Sequence, residues 1–247
     1  MIRPMTHLGP THRQSFRACA AALIALVALT AGAQAQSTLL SVRKQPVKIA
    51  VVGDSVANDL GRGLEDLFEN KRGVQIIKKT QFATGLVRTD FFDWNTTVRA
   101  FFRQHNPDVV LVVMGGNDNQ AIRLKGLRYE PSDKAWLAEY ERRVARFMKH
   151  FKQRRTQVYW VSLPPVRSER LTNAYRVMNR IYERQATKHG FHYLNVWDKF
   201  LNKGAYSSFG QSLEGVRRQI RKQDGMHFTD AGRVLFASYV ANAIRLR

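Results

Sequence analysis

Three short polar segments of this chain hold residue types that together could perform acyl transfer. Gly53-Asp54-Ser55 follows an apolar run at 47–52, Gly115-Gly116-Asn117-Asp118 follows another at 109–114, and Asp224-Gly225-Met226-His227 precedes Thr229 and a last apolar-rich stretch. A serine where a buried strand gives way to a helix can present its hydroxyl and its backbone N–H together, because open α/β sheets bind ligands at that edge and helix N-termini attract negative charge. Serine is a weak nucleophile until a base takes its proton. His227 has a carboxylate three residues before it, Asp224, which can fold back onto the other ring nitrogen, fix the tautomer and stabilise the imidazolium. The oxyanion formed on attack needs preorganised donors, and the Ser55 N–H, the Gly85 N–H and the Asn117 side-chain amide are the candidates. Each segment also has a plainer reading: Gly-Asp-Ser and Asn-Asp are common turn and N-cap residues, and a single histidine before a helix is more often just a helix-terminal residue.

The elements that would position these groups follow from periodicity. Strands are predicted at 47–52, 74–78, 109–114, 158–163 and 191–196, the third an unbroken apolar run of the kind covered by helices on both faces. Between them, helical spacing predicts helices over 56–68, 94–105, from Ser132 to about Gln153, 169–188, and from Thr229 to Arg245. Strands alternating with helices give a three-layer α/β/α sandwich around a five-stranded parallel sheet. The segments at Ser55, Gly85 and Asn117 each follow one of these parallel strands, so right-handed crossovers gather them at one sheet edge, and the loop before the last helix could lie across it. Residues 197–223 show no clear period; the expectation is an irregular segment acting as a lid.

Taken together these segments resemble the four blocks of the SGNH (GDSL-type) hydrolases, esterases and acyl transferases with a flavodoxin-like fold. Gly53-Asp54-Ser55 matches the first block, Gly85 the second, Gly115-Gly116-Asn117-Asp118 the third, and Asp224-Gly225-Met226-His227-Phe228-Thr229 with Gly232 the last. The resemblance implies Ser55 as nucleophile, Asp224 and His227 as its partners, and Ser55, Gly85 and Asn117 as the oxyanion hole. It covers the chain from the first strand to the last helix, and is nearest to an exported bacterial branch with little assigned function. Asp230 stands where relatives often carry proline; in a helix's first turn an acidic residue is favourable, so no consequence is expected.

Residues 1–35 read as a secretory signal peptide: Arg3, Arg13 and Arg17 without an acid, an apolar segment over 18–31, then Ala33-Gln34-Ala35. That segment is short of the roughly 20 residues that span a bilayer, so no integral membrane protein is expected. Residues 36–247 read as a single hydrolase domain outside the cytoplasm, periplasmic or secreted. The only cysteine, Cys19, leaves with the leader, so no disulfide is expected. No cluster has metal-ligand spacing and no phosphate loop appears, so neither metal nor cofactor is expected. Removing the leader's arginines lowers the formal +21 to about +18. On an exported protein such charge points to an anionic, acylated glycan or other ester and away from nucleic acid. Candidate contacts for the anion are Arg123, Lys125 and Arg128 on one side and Arg217, Arg218, Arg221 and Lys222 on the other. The same triad could serve an O-acyltransferase, and a non-catalytic envelope polyanion-binding protein is the alternative of a different class. Oligomeric state has no signature here.

Overall fold

The computed structural model describes residues 46–152 and 156–245, so the leader expected at 1–35 lies outside the described residues. Strand β1 (Val47–Gly53) runs into helix α1 (Ser55–Phe68), capped by Asp54, whose side chain accepts the Val56 N–H. Strand β2 (Val74–Thr80) is followed by a long loop and helix α2 (Trp94–Gln104), capped by Asp93. Strand β3 (Val109–Val113), buried along its whole length, leads to a small hairpin of β4 (Ile122–Leu124) and β5 (Leu127–Tyr129), then helix α3 (Lys134–Met148). Strand β6 (Gln157–Val161), helix α4 (Glu169–His189) and strand β7 (His192–Leu194) complete the repeating part.

The sheet order is β2-β1-β3-β6-β7 and every pairing is parallel, as expected. The first crossover steps one way from β1 and the later ones step the other way. With right-handed connections α1 must therefore lie on the opposite face from α2, α3 and α4. The last helix, α5 (Asp230–Ala243), packs against α1, and α3 packs against α4. Trp94, Trp136, Trp160 and Trp197 are all buried in the layers so formed, as core residues rather than a ligand cage.

Several boundaries differ from the sequence reading, each for a local reason. β2 runs two residues past the predicted end because Thr80 still pairs with Gly53. α3 is capped at Asp133, not Ser132, and its α-geometry ends at Met148 in a 3-10 turn over Lys149–Phe151; Gln153 lies outside the described residues. Residues 197–223 are not irregular. A 3-10 turn at Trp197–Phe200 leads into two hairpins, β8 (Leu201–Asn202) with β9 (Ala205–Tyr206) and β10 (Phe209–Gln211) with β11 (Arg217–Gln219). Strands of two or three residues are too short to leave an alternation in the sequence.

Candidate active site

The sheet order reverses between β1 and β3, the crevice where open α/β sheets bind ligands. β1 ends at Gly53, paired with Val113 of β3, at φ +146; a Cβ there would lie 1.7 Å from the Val113 carbonyl oxygen, so only glycine fits. Ser55, 5% exposed, is the first residue of α1. Asp54 does more than cap that helix. Its Oδ1 accepts the Val56 N–H at 2.9 Å, and its Oδ2 accepts Gly115 N–H at 3.0 Å and Gly116 N–H at 2.7 Å. The loop after β1 is thus tied to the loop after β3. Burial raises the Asp54 pKa to about 6, the Gly116, Val56 and Gly115 N–H groups restraining the rise and the nearby Asp118 adding to it.

The loop before α5 closes on Ser55. Asp224 Oδ1 accepts the Met226 N–H at 2.8 Å and the His227 N–H at 2.9 Å, which folds the carboxylate back beneath the imidazole. Asp224 Oδ2 lies 2.7 Å from His227 Nδ1, and His227 Nε2 lies 2.8 Å from Ser55 Oγ. An ionised carboxylate only accepts, so Nδ1 carries the proton and Nε2 is left to accept from the serine hydroxyl. Partial burial pushes the Asp224 carboxyl up, but the His227 ring and the Met226 and His227 N–H groups outweigh it and bring its pKa down to about 2. The side chains of His227 and Asp224 remain 27% and 47% exposed.

The third group is the loop after β2. Asn117 Nδ2 donates to the Thr84 carbonyl at 2.9 Å, bringing the third block against the second. Asp118, fully buried, receives Leu86 N–H and Val87 N–H, each at 2.9 Å, and the Tyr140 hydroxyl at 2.8 Å. Gly85 sits in the bend so formed, where a Cβ would come within 2.0 Å of Asp118 Oδ1. Among the described residues neither the Ser55 N–H nor the Gly85 N–H has a protein acceptor. The serine hydroxyl, imidazole and carboxylate form one hydrogen-bonded line, with the Asn117–Gly85 pair of loops beside it.

The basic candidates do not form one set. Arg123, Lys125 and Arg128 stand exposed on the β4–β5 hairpin, Arg128 pairing with Glu130 at 2.7 Å. Arg217 and Arg218 stand exposed on β11, where the Arg217 guanidinium covers the Phe209 ring; Lys222 is exposed as well. Arg221 is a correction to the sequence reading, because it is 0% exposed and points inward. It donates to the carbonyls of Met226 and Pro165, and its guanidinium lies 3.7 Å over the Phe228 ring. Desolvation lowers its pKa to about 10, still well above neutral. Its donors hold the histidine loop and cannot meet a substrate.

Three charged residues position the site in ways the sequence reading did not assign, Asp118 having been read only as part of the third block and Arg221 only as an anion contact. Asp118 follows Asn117 directly, and its signal was that it ends a strand-terminal Gly-Gly-Asn-Asp run. Asp59 is buried on α1 and accepts the Phe228 N–H at 2.9 Å; a carboxylate one turn after Ser55, beside Val56 and Leu60, was its signal. Arg221 had none, looking like its neighbours in a basic run.

Fold and blocks together define an SGNH (GDSL-type) hydrolase architecture. Residues 48–243 match the family described as "Protein of unknown function (DUF459)", and the chain belongs to that family. No curated protein matches the sequence. Among solved structures the fold is similar to an acetylxylan esterase from Geobacillus stearothermophilus, with TM-score 0.57 and 16% identity over 81% of this chain and 94% of that one. It is also similar to a GDSL-like lipase from Bacteroides thetaiotaomicron, with TM-score 0.52 and 14% identity over 86% and 96% of the two chains. A gut microbial diltiazem-metabolizing enzyme matches with TM-score 0.57 and 11% identity over 82% of this chain and 48% of that one, so this chain spans about half its length. At such identities the likeness is one of fold.

Proposed function

We propose that this protein is a serine-dependent carboxylic ester hydrolase. The observation that carries the reading is the line Asp224–His227–Ser55, with hydrogen bonds of 2.7 and 2.8 Å. In this mechanism Ser55 Oγ attacks the ester carbonyl while His227 Nε2 takes its proton. Asp224 stabilises the imidazolium, which then protonates the departing alkoxide. The oxyanion is met by the Ser55 and Gly85 N–H groups and the Asn117 amide, each typically worth about 2.7–4 kcal/mol of barrier. Water, deprotonated by His227, resolves the acyl-enzyme. Hydrolysis is favoured over transfer to a second alcohol because His227 and Asp224 are reached by solvent, 27% and 47% exposed.

The substrate we propose is an acyl ester, such as O-acetyl, on an anionic envelope or extracellular glycan. Three things support it: the leader read at 1–35, the formal charge of +21, and likeness of fold to an esterase acting on acetylxylan. The test compares the purified protein with Ser55→Ala on an activated acetyl ester and on acetylated envelope glycan. The variant is expected to lose at least about 10³-fold in kcat. Equal rates from the two proteins would sink the assignment.

A further inference from the structure

Glu139, Arg142, Arg143 and Arg146 fall three or four residues apart, so they share one face of α3. On sequence alone such a row is a solvated helix face. In the fold it becomes the wall of a cavity of about 130 Å³, closed on its other sides by Gly85, Leu86, Thr89, Leu124, Trp94 and Asn95.

Three guanidiniums share that wall with a single carboxylate. Glu139 is buried and bound by Arg142 and Arg143, which hold its pKa below the ordinary value although burial pushes upward. Arg143 Nη1 donates to the carbonyls of Leu86 and Val87, so it grips the loop that carries Gly85. Arg142 is half-exposed, and Arg146 is exposed with no partner among the described residues. Two positive charges are therefore left uncompensated on one concave surface. Asn95, whose Oδ1 is engaged by His150, adds an amide, and Trp94 a flat apolar wall.

We infer that this cavity is a binding site for a small anionic group, a carboxylate or phosphate, held by Arg142 and Arg146 beside the Gly85 loop. The Arg142 Nε–Nη2 edge is taken by Glu139, which leaves its Nη1 and the whole Arg146 guanidinium to form charge-assisted hydrogen bonds with either group. The hairpin residues first suspected of holding an anion, Arg123, Lys125 and Arg128, do not line it, although Leu124 of the same hairpin does. Two sources share its chemistry, the anionic part of the substrate and a free anion acting as effector. In the second case the signal would pass through Arg143 to the Gly85 loop. Binding itself does not rest on the esterase reading, whereas any effect on hydrolysis does.

The test is titration calorimetry of the purified protein with inorganic phosphate at constant ionic strength. One saturable site is expected, weakened at least about tenfold, or 1.4 kcal/mol, in Arg142→Gln/Arg146→Gln. The control Arg62→Gln/Arg180→Gln removes the same charge from two other exposed surface arginines, and should bind phosphate as the wild type does. Absence of saturable binding, or equal weakening in both double variants, would overturn the proposal, the latter by showing diffuse surface charge. Kinetics then separate the sources. If the anion belongs to the substrate, phosphate competes with a carboxylate-bearing acetyl ester, and Arg142→Gln/Arg146→Gln raises KM for that ester more than for a neutral one. If it is an effector, phosphate changes kcat on the neutral ester. An inactive protein that still binds phosphate at this site would remove the esterase reading and leave this one standing.

Discussion

Asp224 owes its low pKa of about 2 mainly to hydrogen bonds, since no arginine or lysine pairs with it. It therefore stays charged across the working range, and the acid limb of kcat/KM should not report protonation of Asp224. In Asp224→Asn the acceptor for the Nδ1 proton is weakened, and kcat is expected to fall about 10³–10⁴-fold with KM little changed. Stability shifts with a defined sign. A carboxyl whose folded pKa is depressed stabilises above its unfolded value of 3.8, and this is lost as pH falls toward about 2. With the carboxylate nearly half-exposed, solvent screening limits that contribution to about 1 kcal/mol. Denaturant unfolding of wild type and Asp224→Asn should then differ above pH 4 and converge near pH 2; a constant gap would show that the carboxylate is not stabilised in the fold.

At the scale of elements, the site is four loops held by buried acids. Asp54 joins the loops after β1 and β3, Asp118 joins those after β3 and β2, and Asp59 fastens the histidine loop to α1. Burial raises the pKa of all three, so each resists ionisation, and their backbone donors offset this cost. Asp118→Asn replaces one acceptor oxygen with a donor facing another N–H. It should lose about 1–3 kcal/mol of stability in urea melts. It should also lower kcat, because Gly85 is no longer fixed. Arg221 acts similarly on the fourth loop, as a positioning residue. Arg221→Met keeps much of the bulk but releases the Met226 and Pro165 carbonyls, and kcat is expected to drop about 10–100-fold with KM nearly unchanged. Partial recovery of kcat in Arg221→Lys would tie the loss to the cation; an unchanged kcat in Arg221→Met would show that His227 is held without it.

For the whole molecule the dominant property is charge, 40 basic residues against 19 acidic. Excess charge of one sign raises encounter rates with opposite charge and is screened by salt. For an anionic acetylated glycan kcat/KM should therefore fall as salt rises from about 0.01 to 0.15 M, where the Debye length shrinks from about 30 to 8 Å. A neutral acetyl ester should show little change. Equal salt responses would remove charge as a determinant of substrate choice.

The order of strands and helices was legible in the chain because a parallel sheet covered on both faces demands apolar runs such as 109–113, separated by helical periods. The polar segments at Ser55, Asn117 and Asp224 to His227 were legible for a related reason: they interrupt those periods at strand ends or just before a helix. Asp54 could be read as a turn and capping residue, but not as the tie between two strand ends, since Gly115 lies 61 residues away from it in sequence. The hairpins within 197–223 were hidden by their shortness. Arg221 and Arg217 belong to one basic run, yet one is buried beneath aromatic rings and the other exposed over one. Residue type alone carries no information about that difference. Which residues can do chemistry is a matter of side-chain type and local spacing, and the sequence by itself determined it. Which acids hold the loops, and which arginines face solvent, a cavity or the core, depends on long-range packing, and only the tertiary structure decided it.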